Sequence, residues 1–162
     1  MAQSVRLADD DFSAVSGARV LIVEARYYAD IADELLRGAR EVLEAAEAEI
    51  EVVTVPGALE IGQAIAIALE DGLDVDAVVA LGTVIRGETS HYDIVAGESA
   101  RALVELALDY VVPIGNGILT VENAEQAWAR ARVTGDNKGG FAARAALALV
   151  ALRRQIADKV ED

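Results

Sequence analysis

The chain alternates between short runs rich in β-branched residues and longer stretches with apolar residues at helical spacing. Residues 18–24 (ARVLIVE), 50–55 (IEVVTV) and 77–81 (AVVAL) are too short and too apolar for surface helices, and they are typical of buried strands. A fourth strand is predicted at residues 111–114, and residues 115–119 extend it.

Helices are predicted between and after these strands. The first has its apolar face over residues 31–46, with Asp30 in position to cap it. Others are predicted at residues 58–69, 93–110 and 124–131. A closing helix has its apolar residues in register at Ala142, Ala145, Ala146, Leu149, Leu152 and Ile156.

Strands that alternate with helices predict a parallel sheet covered on both faces. Right-handed crossovers then favour an α/β fold, a three-layer α/β/α sandwich around a four-stranded parallel sheet, flavodoxin-like in topology. We expect one domain over residues 17–158 and a flexible N-terminal arm over residues 1–16, free to pack on a neighbouring subunit.

Charge and composition exclude several classes of partner. The net charge of −14 argues against nucleic acid and anionic membranes, and it means that a site for an anionic substrate needs its own local cations. The absence of cysteine excludes thiolate catalysis and thiolate metal sites, and it agrees with a reducing, cytoplasmic location. The sequence has no apolar run of about 18 residues, and residues 1–16 are too polar for a signal peptide.

Ligands of an open parallel sheet bind beyond the carboxyl ends of its strands. Four segments are expected there, at residues 25–28, 56–60, 82–91 and 115–120, and all four concentrate polar, aromatic or glycine residues.

The segment at residues 82–91 is the richest in chemistry. Gly87 lets a ligand approach the backbone, and Thr89 and Ser90 offer hydroxyl and amide groups where a helix begins, which favours an anion. His91 is the only histidine, and an imidazole can transfer protons near neutral pH. A phosphate site with a proton shuttle is one interpretation. The other is an ordinary helix cap beside a surface histidine.

The other strand ends are weaker on their own. Glu60 can bind a polyol, or it can complement the dipole of a helix N-terminus. Tyr27 or Tyr28 can stack on a planar ring, or pack at a subunit interface. Asn116, between two glycines, is also consistent with a turn or a bulge.

Three cations lie close to Gly135 and Gly139-Gly140, near the junction between the last two predicted helices. Arg130 and Arg132 fall at the end of the short helix, and Lys138 falls near the start of the last one. Such residues usually serve surface solubility, but in a chain with 28 acidic and 14 basic residues they can supply the charge that an anionic substrate needs.

Together these segments resemble the lumazine synthase family. The likeness covers residues 18–152 and rests on PGALE at 56–60, GTVIRGETSHYD at 82–93, GILTVENAEQAWARA at 117–131 and NKG at 137–139. The resemblance implies 6,7-dimethyl-8-ribityllumazine synthase activity in riboflavin biosynthesis. In this reaction 5-amino-6-(D-ribitylamino)uracil condenses with 3,4-dihydroxy-2-butanone 4-phosphate, and phosphate and water are released. It implies no metal and no organic cofactor.

The resemblance also implies which residues bind these two small molecules. Those around the pyrimidine ring and the ribityl chain are Tyr27, Ala58, Leu59, Glu60, Thr83, Val84, Ile85, Asn116 and Lys138. Those around the phosphate are Gly87, Glu88, Thr89 and Arg130. Tyr27 is expected to stack on the ring, Glu60 to bind through its carboxylate, and His91 to act as the catalytic proton-transfer residue.

Three departures from the family pattern shape the remaining expectations. Tyr27 and Tyr28 stand where the family often has Phe-Asn, and tyrosine still stacks. Asn116 stands where the family often has an aromatic contributed across the subunit interface, so only a backbone contact is carried over. Residues 132–136 lack the sequence typical of capsid-forming members. We therefore expect a homopentamer rather than a 60-subunit shell, with the active site between subunits.

Three alternatives share this scaffold. A non-catalytic binder of flavin or ribityl compounds would keep Tyr27 and Glu60 but would not need His91 or Arg130. A phosphorelay receiver needs acidic residues at the strand ends where Ala25-Arg26 and Gly82-Thr83 lie. The third alternative, a purely structural shell protein, would leave the charged turns without a purpose.

Overall fold

A computed structural model describes residues 11–162 of the chain. The strands are β1 (Arg19–Ala25), β2 (Glu49–Val55), β3 (Ala77–Ile85) and β4 (Ile114–Val121). The helices are α1 (Ala29–Ala45), α2 (Ala58–Glu70), α3 (His91–Tyr110), α4 (Ala124–Ala131) and α5 (Lys138–Glu161). All neighbouring strands pair in parallel in the order β2-β1-β3-β4, which confirms the predicted α/β fold.

The sheet has a separate apolar cluster on each face. On one face α1, α4 and α5 pack around Ile22 and Val79. On the other, α2 and α3 pack around Val23 and Val78. The central strands β1 and β3 are therefore buried on both sides, which is why they are apolar at consecutive positions rather than at alternate ones.

β3 is longer than predicted. The sequence interpretation ended it at residue 81 and placed residues 82–85 in a turn, but the strand continues to Ile85. The reason is its neighbour, because β4 pairs with β3 as far as Ile85↔Val121, whereas β1 pairs with β3 only as far as Glu24↔Leu81. The last four residues of β3 thus lie beyond its pairing with β1.

The predicted start of β4 was wrong. Val111 ends α3 in a left-handed conformation (φ 51°), and the strand begins at Ile114. Gly115 and Gly117 form neither a turn nor a bulge, because their pairing with β3 is continuous. Gly115 is small because α5 lies against β4, so that a Cβ would overlap the carbonyl oxygen of Ala142, whereas a Cβ on Gly117 would first meet Leu81 on β3.

Two helix starts also differ from expectation. Asp30 is not the cap of α1; Tyr28 occupies that position without a side-chain cap bond, and Asp30 lies in the first turn. α3 begins at His91 rather than at residue 93, with Ser90 in the cap position and no cap bond from its side chain.

The N-terminal segment is partly ordered against the core. Residues 1–10 of the expected arm lie outside the described residues. From residue 11 onward, Val15 is buried in the α1/α4/α5 cluster and Phe12 packs against that cluster. Arg154 donates to the carbonyl oxygens of Ala14 (3.1 Å) and Ser16 (3.2 Å). The arm is therefore not free along its whole length. Over residues 11–162, no helix is long and apolar enough to cross a membrane.

Candidate active site

A cavity of about 440 Å³ lies at the carboxyl ends of β1 and β3, on the face of the sheet that α2 and α3 cover. Its predicted residues are Tyr27, Ala58, Leu59, Glu60, Thr83, Val84, Ile85, Gly87, Thr89 and His91. Its other lining residues are Tyr28, Gly57, Tyr92 and Val95. Three of the four segments singled out in the sequence therefore meet in one place.

The extension of β3 beyond β1 leaves backbone groups without a strand partner. Peptide groups alternate in direction along a strand, and the amides of Val78 and Arg86 both point to the β4 side, where they donate to Pro113 O (2.8 Å) and Val121 O (2.9 Å). The carbonyl of Thr83 and the amide of Ile85 therefore point the other way, where β1 has ended. This edge presents an acceptor and a donor side by side.

The start of α2 forms a second wall. Gly57 precedes the helix in an extended conformation, and the first amides of a helix have no partner within it. Glu60 lies in this first turn, half-buried, and its carboxylate has no hydrogen bond within residues 11–162. An unpaired, partly desolvated carboxylate next to free backbone amides is a binding group for hydroxyls.

Two tyrosines form the third wall. The rings of Tyr27 and Tyr28 meet edge to face, with centroids 4.9 Å apart. Tyr28 is half-buried, and burial raises the pKa of its phenol, so it stays neutral at ordinary pH. Tyr27 is 77% exposed, which leaves its ring open for stacking on a planar ligand.

The loop between β3 and α3 carries the features expected of an anion site. The amides of Gly87, Glu88, Thr89 and Ser90 make no hydrogen bond to any described residue, and α3 begins directly after them. A Cβ on Gly87 would meet nothing within 4 Å, so the approach to these amides is open.

Thr89 and His91 connect this loop to the helix. The hydroxyl of Thr89 accepts a long bond from the amide of His91 (3.3 Å). The bland interpretation, a threonine that caps the helix, is thus partly right. His91 is exposed at the start of α3 and lines the cavity beside these amides.

Arg86 is not available to an anion here, because acidic side chains engage it. Its Nε is 2.8 Å from Glu122 Oε2, its NH1 is 3.5 Å from Asp93 Oδ1, and its Cζ lies 4.2 Å from the ring centre of Tyr92. The bond to Glu122 is the main reason that the pKa of Arg86 is raised above its usual value. Arg86 therefore braces the loop, and an anion bound there needs a cation from elsewhere.

Four predicted site residues do not line this cavity. Glu88 is exposed in the loop. Asn116 lies in the middle of β4, level with Ala80, and its Oδ1 accepts from the amide of Ile118 (2.9 Å). Arg130 and Lys138 lie on α4 and α5, on the opposite face of the sheet.

Arg130 and Lys138 have no acidic partner within residues 11–162. Arg130 donates to the carbonyl oxygen of Gln126 (3.0 Å), and Lys138 lies 5.0 Å from the ring centre of Phe141. By contrast, Arg19, Arg37 and Arg101 all form ion pairs on the surface. In a chain of net charge −14, positive charge that no carboxylate neutralises suits an anion bound at this face or presented by a neighbour.

The additional lining residues carried weak sequence signals. Tyr28 had been considered only as an alternative to Tyr27. The sequence pattern already places Val95 on the buried face of a helix, and Tyr92 joins that helix once α3 is known to start at His91. Gly57 precedes α2 and contributes backbone only.

The fold and the cavity define an α/β protein whose candidate active site combines an aromatic wall, free backbone groups, a carboxylate, a loop of unpaired amides before a helix and a histidine. Comparisons with known proteins identify the family. The model of the 6,7-dimethyl-8-ribityllumazine synthase family matches residues 17–154, and the chain belongs to this family.

Curated relatives agree with this assignment. The chain is 63% identical over 146 residues to the 6,7-dimethyl-8-ribityllumazine synthase of Xanthobacter autotrophicus, with 88% of each chain covered. It is 65% identical over 144 residues to that of Methylorubrum populi, with 86% of this chain and 85% of the relative covered. The chain also has a structural similarity to the crystal structure of a LacI-family putative transcription regulation repressor from Corynebacterium glutamicum, with a TM-score of 0.41 and 18% identity. The match covers 86% of this chain and 53% of that chain, and it carries no argument about fold or function.

The activity follows from the family. The chain is a transferase of riboflavin biosynthesis that makes 6,7-dimethyl-8-ribityllumazine from a ribitylamino-uracil and a butanone phosphate. Membership also implies small-molecule substrates and an oligomer. It decides against the non-catalytic binder, the receiver and the purely structural shell.

Proposed function

We propose that the cavity between Tyr27 and His91 binds both substrates, the pyrimidine along the free edge of β3 and the phosphate on the loop before α3. One observation carries this proposal. The unpaired edge at Thr83 and Ile85, the unpaired carboxylate of Glu60 and the unpaired amides of residues 87–90 all open into or beside the same cavity.

The ribitylamino-uracil would lie along β3 in place of the missing strand. A pyrimidinedione presents a carbonyl next to an N–H, which complements the Ile85 amide and the Thr83 carbonyl. Tyr27 would stack on the ring, and Val84 would supply apolar contact. Glu60 would accept hydrogen bonds from the ribityl hydroxyls, with the backbone of Ala58 and Leu59 beside it.

The butanone phosphate would bind with its phosphate at the start of α3. The amides of Gly87, Glu88 and Thr89 would donate to its oxygens, and the helix dipole would favour its charge. His91, one step further along, would take a proton from the attacking amine and deliver one as water and phosphate leave.

A neighbouring subunit would complete this site. Arg130 and Lys138 lie away from their own chain's cavity and have no carboxylate partner there, so each can serve the cavity of an adjacent copy. Asn116 would contribute backbone to the same wall. Exposed apolar side chains on α3, among them Val104 (60% exposed) and Leu108 (73% exposed), support association of subunits.

We propose a homopentamer working in the cytoplasm. The pentamer is favoured by residues 132–136, and the location by the cysteine-free composition. A native mass of five 17.0 kDa chains is expected, whereas sixty chains would contradict the proposal.

His91→Ala tests the catalytic assignment. We expect a lower kcat, by about 10²-fold or more, with both Michaelis constants nearly unchanged, because His91 moves protons and does not hold either substrate. Formation of product is followed by its absorbance. Since His91 is exposed, the melting temperature should not change. A variant with unchanged kcat would remove His91 from the mechanism.

A further inference from the structure

A partly buried ionic network, centred on the buried carboxylate of Glu24, lies directly behind the loop that carries Tyr27. Glu24 is only 3% exposed, and among residues 11–162 it is the single charged residue that is buried. It lies near the end of β1, two residues before Arg26, on the face of the sheet opposite the cavity, since Ile22 packs against α1 and α5 while Val23 and Ala25 face α2.

The network joins three elements around one loop. Arg26 NH1 donates to both carboxylate oxygens of Glu24 (3.0 and 2.9 Å), and the hydroxyl of Thr54 on β2 donates to Glu24 Oε1 (3.0 Å). Arg26 NH2 donates to the carbonyl oxygen of Ala29 (3.3 Å) and to Asp33, both on α1. One guanidinium thus ties the end of β1 to the first two turns of α1, across Tyr27 and Tyr28.

Stability alone is a poor explanation for this arrangement. The free energy cost of desolvating a carboxylate offsets most of the attraction between it and its partner, and apolar residues of similar volume often stabilise a core equally well. What a fully bonded buried pair does provide is a defined geometry. The hydrogen bonds that Arg26 donates to Asp33 and then to Glu24 are the main causes that raise its pKa, so its guanidinium stays charged.

The loop needs such a support. Tyr27 is 77% exposed, and the edge of Tyr28 is its one aromatic contact in the described structure. Packing therefore does not fix the Tyr27 ring, and its direction depends on the backbone between Arg26 and Ala29. The amide of Arg26 also donates to Val55 O (3.3 Å), which fixes the first residue of the loop to β2.

We propose that Glu24 and Arg26 are positioning residues, which hold the loop so that Tyr27 is preorganised to stack on the pyrimidine. Neither side chain lines the cavity, so both act through Tyr27. This inference rests on the proposed role of Tyr27.

Glu24→Gln tests it by steady-state kinetics with each substrate varied in turn. Glutamine keeps the size of the side chain, but it is neutral and replaces one of the two acceptor oxygens with an NH₂ group, which cannot bond a guanidinium that can only donate. The Michaelis constant for the ribitylamino-uracil should rise roughly three- to ten-fold, the factor that loss of one stacking contact produces. The constant for the butanone phosphate and kcat should stay within about two-fold. Glu41→Gln is the matched control, because it weakens an exposed ion pair on α1, between Arg37 and Glu41 (3.2 Å). It should change none of these constants.

A double-mutant cycle with Tyr27→Ala separates positioning from general destabilisation. If Glu24 acts through Tyr27, Glu24→Gln should add nothing to the Michaelis constant in the Tyr27→Ala background. A rise that persists in that background overturns the inference, as does an unchanged constant in a folded Glu24→Gln single variant. If Tyr27→Ala itself leaves the constant unchanged, both this inference and the proposed role of Tyr27 fall.

Asp33→Asn covers the case in which Glu24→Gln does not fold. Asp33 is exposed, and its loss leaves the buried Glu24–Arg26 pair intact. We expect a rise of roughly two- to five-fold in the same Michaelis constant, again absent in the Tyr27→Ala background, since an exposed contact contributes less than a buried one. No rise in Asp33→Asn would then overturn the inference.

Discussion

Replacement of Glu60 by glutamine distinguishes substrate binding from a purely structural role. Glu60 lies in the first turn of α2, where any carboxylate is favoured by the helix dipole. It also lines the cavity, half-buried and without a hydrogen-bond partner within residues 11–162. The two roles make different predictions for the same variant.

The magnitudes follow from these surroundings. A hydrogen bond to a charged group contributes about 1.5–3 kcal/mol, against about 1 kcal/mol for a neutral one. The loss of charge at Glu60 should therefore raise the Michaelis constant for the ribitylamino-uracil by roughly two- to thirty-fold. The loss of the dipole interaction should lower the free energy of unfolding by only about 0.3–1 kcal/mol.

The assay combines initial rates, with the pyrimidine varied at saturating butanone phosphate, and chemical denaturation. Glu125→Gln is the matched control, because Glu125 is an exposed acidic residue in the first turn of α4 and does not line the cavity. It should show the small loss of stability and no change in the Michaelis constant. If Glu60→Gln behaves in the same way as this control, Glu60 serves the helix alone and our assignment is refuted.

Three further predictions concern phosphate binding, packing and titration. Arg130→Ala should raise the Michaelis constant for the butanone phosphate roughly ten- to hundred-fold, whereas Arg40→Ala, which removes an exposed pair with Glu44 (3.7 Å), should not change the initial rates. Gly115→Ala should lower stability by about 1–3 kcal/mol or more, because its Cβ would overlap the carbonyl of Ala142, while Gly97→Ala, with nothing within 4 Å, should raise the melting temperature slightly. In wild type, the pKa of Tyr28 is raised above its ordinary value of 10.0, so its contribution to stability is fully present below pH 10.0 and is lost as the pH rises through the pKa of the folded state. Tyr28→Phe should therefore flatten the fall in unfolding free energy at alkaline pH.

The strand and helix order was predictable because each central strand is buried on both faces. That burial makes β1 and β3 apolar at consecutive positions, a pattern that is visible in one sequence. The start of β4 was not predictable, because the glycine at residue 115 is required by the packing of α5, which follows β4 in the chain. From sequence alone Gly115 suggests a turn, and only the fold shows that it is a strand residue packed against Ala142.

The candidate site was predictable as far as local chemistry reaches. The residue types at positions 87–91 are enough to suggest a site in that loop, and the structure places Glu60 and Tyr27 around the same cavity. The free edge at Thr83 and Ile85 was hidden, since it depends on how far β1 and β4 each extend along β3. Glu24 was hidden as well, because only the fold shows that it is buried.

Subunit mixing tests most directly whether the site is shared between chains. His91→Ala and Arg130→Ala would be assayed alone and after the two are unfolded together and reassembled at equal amounts, with subsaturating butanone phosphate. If one chain supplies His91 and its neighbour supplies Arg130, about a quarter of the interfaces in the mixture regain both residues, and activity returns towards that fraction of wild type. If the two residues serve the same chain's cavity, no interface is restored and the mixture stays as inactive as the average of its parents, which would contradict the shared site.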